Sequence, residues 1–272
     1  MLSASLDGGA RQRYKESFMT TSLQHIGFLG FDVFGTVVDW RSGVARAARP
    51  FLERYDIDVD PFDFADEWRS LYQPAMQAVR SGERPWVRLD VLQRENLETV
   101  LARHGADFGA EFGAEFGAIA GADLADLNRA WERLDPWPDA VEGLTRLKQR
   151  FPISALSNSH IAGMLHLSRF GGLPWDAILG AEIARSYKPQ PQAYLKSAEA
   201  VGLPPHEVAL VAAHNDDLQA ARACGFRTVF VRRPQEHGPK QSTDLAPEHD
   251  WDVVADSLIE LADLLGCAQL SR

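Results

Sequence analysis

The sequence predicts an α/β fold on one parallel sheet, with a helical segment inserted after its first strand. Three observations carry this. An apolar run, Ile26 to Phe31, has strand character, stops on Asp32, and is followed at once by Gly35 and Thr36, which mark a turn. From Pro138 onward short apolar runs alternate with helical ones, the pattern of a parallel sheet with crossover helices. Between the two, over residues 43–135, only helical spacing occurs, and strand-like runs are missing.

The elements follow in order. Val44 to Tyr55, Pro61 to Ser81, Val87 to His104 and Leu124 to Leu134 read as helices, with apolar residues on one face and many charges on the other. Among them lies a short tandem duplication with Phe108, Phe112 and Phe116 four residues apart. Glycines at the same spacing weaken a helix there, and the segment is assigned no chemical role. In the second half, strands are expected at Pro152 to Leu156, Ala177 to Leu179, Val208 to Ala213 and Thr228 to Val231. Helices are expected at Val141 to Arg150, His160 to Phe170, Ala193 to Val201 and Asp217 to Cys224. The implied division is a flexible extension over 1–21, a sheet domain over 22–42 and 136–266, and a helical cap over 43–135. An insert at the carboxyl end of the first strand sits where open parallel sheets bind their ligands.

Composition narrows the function. The chain has 272 residues, enough for a sizeable core, and 28 Lys and Arg against 38 Asp and Glu give a formal charge of −10. That balance disfavours nucleic acid or an anionic membrane as partner, but a local arginine can still bind a small carboxylate. Cys224 and Cys267 are too few for a disulfide framework and form no CxxC pair, which points to a reducing cytoplasm. No run of 18 apolar residues suggests a membrane span, and the N-terminal stretch lacks the apolar segment of a signal peptide.

The strand ends carry the candidate chemistry. The first stops at Asp32, the second at Ser157 and Asn158. The loop after the third holds Lys188, with Tyr194 six residues on, and the fourth runs into His214, Asn215, Asp216 and Asp217. Each alone has a plain structural reading: a helix cap, a surface lysine, a half-buried aromatic, a structural hydrogen-bonder. Polar groups at four successive strand ends favour a ligand site at the carboxyl edge.

These segments resemble the haloacid dehalogenase superfamily, and within it the L-2-haloacid dehalogenase family. FDVFGTVVD resembles the first motif, with Asp32 and Thr36; LSNS at 156–159 the second; YKPQPQAY at 187–194 the third; VAAHNDDLQAAR at 211–222 the fourth. EWRSLY at 67–72 resembles the segment that carries the family's halide arginine, here Arg69. The resemblance implies a Rossmann-like core and a helical cap. It also implies covalent catalysis: Asp32 displaces halide from a 2-haloalkanoate, and water then hydrolyses the aspartyl ester. Lys188 would keep the nucleophile ionised, and Thr36 lies beside it. Ser157, Asn158 and the amides of Val33 and Phe34 would hold the substrate carboxylate. Arg69 would stabilise the departing halide, and Asp217, supported by Tyr194, would orient Lys188 or the water. No cofactor is implied, and a homodimer is expected by analogy.

Departures from the pattern choose among branches. Phosphatases of the superfamily resemble each other in a second acid two residues after the nucleophile, an acid-base group, and in acids of the first and fourth motifs that hold magnesium. Here those positions are Phe34 and Ala212, so no metal site is expected. His214 and Asp216 stand where similar chains carry an amide and a tryptophan. An imidazole at 214 can position or deprotonate water as well as serve as a structural hydrogen-bonder. The alternatives are a hydrolase of another carbon–heteroatom bond opened by Asp32, a phosphatase, and a non-catalytic binding module.

Overall fold

The computed structural model describes residues 25–106 and 119–270. The extension read over 1–21 and the phenylalanine repeat lie outside the described residues. Six strands form one parallel sheet: β1 Phe28–Phe31, β2 Ile153–Ser157, β3 Ala177–Gly180, β4 Val208–Ala212, β5 Arg227–Val231 and β6 Val253–Ala255. Their order is β3-β2-β1-β4-β5-β6. β1, β2 and β4 are buried along their whole length, as strands covered on both faces must be. β1 lies between β2 and β4, with Phe31 opposite Ala155 on one side and Val211 on the other. The chain adds strands first to one side of β1 and then to the other. The carboxyl ends of β1 and β4 therefore flank the topological switch point, where such sheets open a crevice.

Between β1 and β2 run α1 Trp40–Arg54, α2 Pro61–Ser70, α3 Tyr72–Arg80, α4 Leu89–Arg103 and α5 Gly121–Asn128, then a 3-10 turn at Arg129–Glu132. Asp39 caps α1 by accepting from the Ser42 amide at 3.0 Å, so that helix starts four residues before the expected Val44. Asp60 caps α2, with Pro61 at its first turn. The single helix expected over Pro61 to Ser81 is two, broken at Leu71. Pro74 is the physical reason: it has no N–H for the Ser70 carbonyl and its ring crowds the preceding turn. The helix expected at Leu124 to Leu134 ends at Asn128 and tightens into the 3-10 turn.

This segment leaves and returns at one place. Asp39 donates its amide to the Asp135 carbonyl and Trp137 to the Val37 carbonyl, both at 2.9 Å, and Val38 bridges Pro136. The remaining helices are α6 Ala140–Lys148, just before β2, and after β2 α7 Ile161–Gly171, the short α8 Ala181–Ala184, α9 Pro191–Ala200, α10 Asn215–Ala223 and α11 Leu258–Leu264. β6 and α11 were not expected. Three residues of strand are too few for an alternating pattern to stand out. Among the described residues no helix is long and apolar enough to cross a membrane. Cys224 and Cys267 are free thiols.

Candidate active site

Asp32 sits just past β1, 8% exposed, its amide bonded to the Val211 carbonyl at 3.0 Å. β1 ends here because Gly35, at φ +90°, turns the chain into a left-handed conformation that a side chain disfavours. Thr36 returns toward Asp32: its hydroxyl donates to Asp32 Oδ2 at 2.8 Å and accepts from the Ala213 amide at 2.9 Å. The acceptor role fixes the hydroxyl proton on Asp32, so Thr36 ties the end of β4 to the carboxylate.

Lys188, 5% exposed, reaches the same carboxylate from the loop after β3. Its ammonium lies 2.8 Å from Asp32 Oδ1 and 2.5 Å from Asp217 Oδ2. Asn158, at the end of β2, accepts the Lys188 amide at 2.7 Å and so positions that loop. Tyr194, fully buried on α9, donates to Asp217 Oδ1 at 2.6 Å. Burial alone would raise the Asp32 carboxyl, but Lys188 and then His214 outweigh it and hold it well below the usual range. Burial also opposes the charge on Lys188, and Asp217 and Asp32 more than restore it, so its pKa is raised. Asp217 moves up, by burial and by the nearby Asp32 charge, against the pull of Lys188. One ammonium between two carboxylates thus favours charge on Asp32 over Asp217.

His214 stands between two acids. Its Nδ1 lies 3.1 Å from Asp32 Oδ2, and its Nε2 lies 2.9 and 3.1 Å from the two oxygens of Glu236. Burial disfavours the imidazolium, but Glu236 and Asp32 overcome it and raise the pKa well above the ordinary value. With both ring nitrogens facing carboxylates, this geometry supports a doubly protonated donor in place of the base considered from sequence.

Arg69 on α2 lies inside an aromatic cage. Its guanidinium carbon is 4.1 Å from the ring centre of Tyr72, 5.2 Å from Trp40 and 6.0 Å from Trp131. Its Nη1 is buried and, among the described residues, has no hydrogen-bond partner; the indole nitrogen of Trp131 is likewise unpartnered. Unpaired buried donors on a caged cation suit a small anion.

A cleft of about 570 Å³ joins these groups, lined by Asp32, Phe34, Arg69, Asn158, Lys188, His214 and Asp217 among others. Thr36 and Tyr194 act from behind this lining. Ser157 does not line the cleft: it is buried, and its hydroxyl accepts from the Ser159 amide at 3.1 Å. That turn uses the Ser157 oxygen as an acceptor, and the residue stands behind the cleft lining. Among the described residues, none accepts from the amides of Val33 or Phe34, so those N–H groups remain available beside Asp32. Phe34 packs edge-on against Trp131 at 5.5 Å between ring centres, an apolar contact at the position compared with the phosphatases' second acid. Ala212 is likewise buried in β4.

A family model for haloacid dehalogenase-like hydrolase matches residues 29–225. The chain belongs to that family. The matched span runs from β1 past α10 and so contains Asp32, Lys188 and Asp217. A solved structure of a defluorinating L-2-haloacid dehalogenase is 46% identical, with TM-score 0.83, over 89% of this chain and 96% of that one. A second L-2-haloacid dehalogenase structure is 44% identical, with TM-score 0.79, over 88% and 99%. An (S)-2-haloacid dehalogenase of Xanthobacter autotrophicus is 33% identical over 112 residues, which are 40% of this chain and 44% of that relative. The chain therefore spans under half the length of that curated relative. Within the family fold, Glu236 and the aromatic wall of Trp40, Tyr72 and Trp131 around Arg69 are site features the sequence alone did not point to; of these, Glu236 touches His214. Glu236 lies five residues beyond β5, so extending the strand-end search to one more strand would have reached it.

Proposed function

We propose that this chain is a hydrolytic 2-haloacid dehalogenase, converting short L-2-haloalkanoates to 2-hydroxyalkanoates through an ester on Asp32. One observation carries the reading: an ionised, nearly buried carboxylate held by a lysine, with phenylalanine where metal-assisted relatives need an acid. The similar dehalogenases support the same chemistry.

In the first step Asp32 attacks the carbon that bears the halogen, and the carbon–halogen electron pair leaves with the halide. Asn158 and the amides of Val33 and Phe34 hold the substrate carboxylate. Arg69 receives the halide within the cage of Trp40, Tyr72 and Trp131, where negative charge develops. Oδ2 of Asp32 is engaged by Thr36 and His214, whereas Oδ1 has Lys188 alone, so Oδ1 is the attacking atom. In the second step water adds to the ester carbonyl carbon. Asp217, its pKa raised by burial and its carboxylate fixed by Tyr194, takes the water proton. The helical segment after β1 acts as a cap over the cleft. The two free thiols fit a reducing cytoplasm, and a homodimer fits the analogy.

The test is halide release from 2-chloropropionate enantiomers, fluoroacetate and an aryl phosphate, each with and without EDTA. Halide from the L enantiomer, unaffected by chelator, is expected. Phosphate release that EDTA abolishes and magnesium restores would overturn the reading in favour of a phosphatase.

A further inference from the structure

Glu236 is 1% exposed, yet it lies outside every motif of the chain. Its carboxylate is built in from three sides. His214 Nε2 approaches both oxygens at 2.9 and 3.1 Å, Trp40 donates its indole N–H to Oε1 at 3.0 Å, and a Cβ placed on Gly35 would fall 2.1 Å from that same oxygen. The Gly35 turn after β1 therefore makes room for Glu236 as well as bending the chain. The loop that carries it is anchored nearby: Arg233 donates to the Thr36 carbonyl at 2.8 Å and forms a two-point pair with Asp139, each bond 2.9 Å. A buried carboxylate fixed this firmly against one histidine leaves that ring little rotational freedom and holds its Nδ1 within 3.1 Å of Asp32 Oδ2.

We infer that Glu236 is a positioning residue that directs the Nδ1–H of His214 at Oδ2 of Asp32, where with Thr36 it stabilises the oxyanion formed during ester hydrolysis. This rests on the dehalogenation reading above. With Oδ1 alkylated, Oδ2 becomes the ester carbonyl oxygen. Water oxygen then bonds to the carbonyl carbon, the π pair moves onto Oδ2, and one water proton passes to Asp217. Collapse of the oxyanion breaks the bond from that carbon to Oδ1, which leaves on the substrate as an alkoxide and takes the proton from Asp217. The remaining carboxyl proton goes to solvent as Asp32 re-ionises. Two hydrogen-bond donors on Oδ2 are an oxyanion hole in the ordinary sense.

The reason a glutamate is needed lies in the intermediate. In the free enzyme two carboxylates hold the proton on His214. Alkylation removes the charge of Asp32 when the donor is about to be used, and Glu236 remains as the carboxylate in contact with the ring. The other charged or titratable groups lining this region are Lys188 from the loop after β3, Asp216 and Asp217 from α10, His237 beside Glu236 at 3.6 Å, Asp244 beyond it, and Asp66, Arg69 and Tyr72 from the helical segment.

Two experiments decide this. In Glu236→Gln the rapid release of one halide per chain should persist, while steady turnover falls about 10²–10³-fold, the effect of losing an oxyanion donor. Ester on Asp32 should accumulate by intact mass, and turnover should recover as pH is lowered through the ordinary histidine range near ~6.5. Near-native turnover with no ester and an unchanged pH profile would overturn the inference. The second experiment needs no substrate and leaves Glu236 intact. Asp32→Asn mimics the uncharged ester, and ring ¹⁵N shifts should report His214 as doubly protonated up to roughly pH 8. Titration at or below ~6.5 would overturn the inference. This measurement decides the role of Glu236 even where halide release fails and the dehalogenation reading falls.

Discussion

Asp32 and His214 show how burial and pairing compete at single residues. Burial works against both charges, and at each the oppositely charged neighbours win. The signs give a stability test. The folded pKa of His214 is raised, so its contribution is fully present below the ordinary value of about 6.5 and is lost as pH rises through the folded value. Urea unfolding should therefore show stability declining on the alkaline side, and His214→Asn should remove part of that decline. Equal slopes in both proteins would contradict the ion pairing. Asp32 has the opposite sign: its contribution is present above about pH 4 and is lost only in acid, so Asp32 stays ionised at neutral pH. Gly35 offers a second test. Gly35→Ala combines a strained φ of +90° with a clash on Glu236, and should cost about 1–3 kcal/mol by denaturation. Native stability would mean that Glu236 has room elsewhere.

Between elements, the decisive contacts join the helical segment to the sheet. Trp131, on the 3-10 turn, touches Phe34 after β1, stacks on Trp40 of α1 at 6.2 Å and meets Trp68 of α2 edge-on at 5.5 Å. Trp131→Ala should cost about 3–5 kcal/mol, the usual loss for a buried aromatic, and should slow halide release because Arg69 loses a wall. Full stability with slow halide release would confine Trp131 to the anion site; full stability with full activity would remove it from both. This scale also shows what could be read in advance. The strand-then-acid pattern at Asp32 and the alternation after Pro138 revealed the central strands, because a fully buried strand leaves an unbroken apolar run. Asn158 and Asp217 were visible for the same reason, since they sit just after strand ends; Lys188 lies in the loop after β3, and Tyr194 was reached only by its spacing from Lys188. Glu236 was not, since its partners Trp40 and His214 lie 196 and 22 residues away, and only folding brings them together. The hydroxyl of Ser157 accepts from the Ser159 amide in a local turn that single residues in the sequence do not announce.

Of two buried apolar clusters among the described residues, the one that holds most of the core runs through both the helical segment and the sheet. Phe31 and Val33, Trp40 and Phe64, Leu92 and Trp131, and Leu144 and Leu261 belong to a single buried cluster. Heat should therefore unfold the protein in one transition, with fluorescence and far-ultraviolet dichroism coincident; two separated transitions would mean that the helical segment and the sheet melt independently. The same arrangement brings Arg69, on the helical segment, into one cleft with Asp32, which is the placement the proposed reaction needs. The central claim, that Asp32 itself forms and loses a covalent bond, is tested most directly by a single turnover of L-2-chloropropionate in ¹⁸O water. The account predicts unlabelled 2-hydroxypropionate from that turnover and one ¹⁸O in the peptide that contains Asp32. Labelled product with an unlabelled peptide would mean that water attacks the substrate directly, and would contradict it.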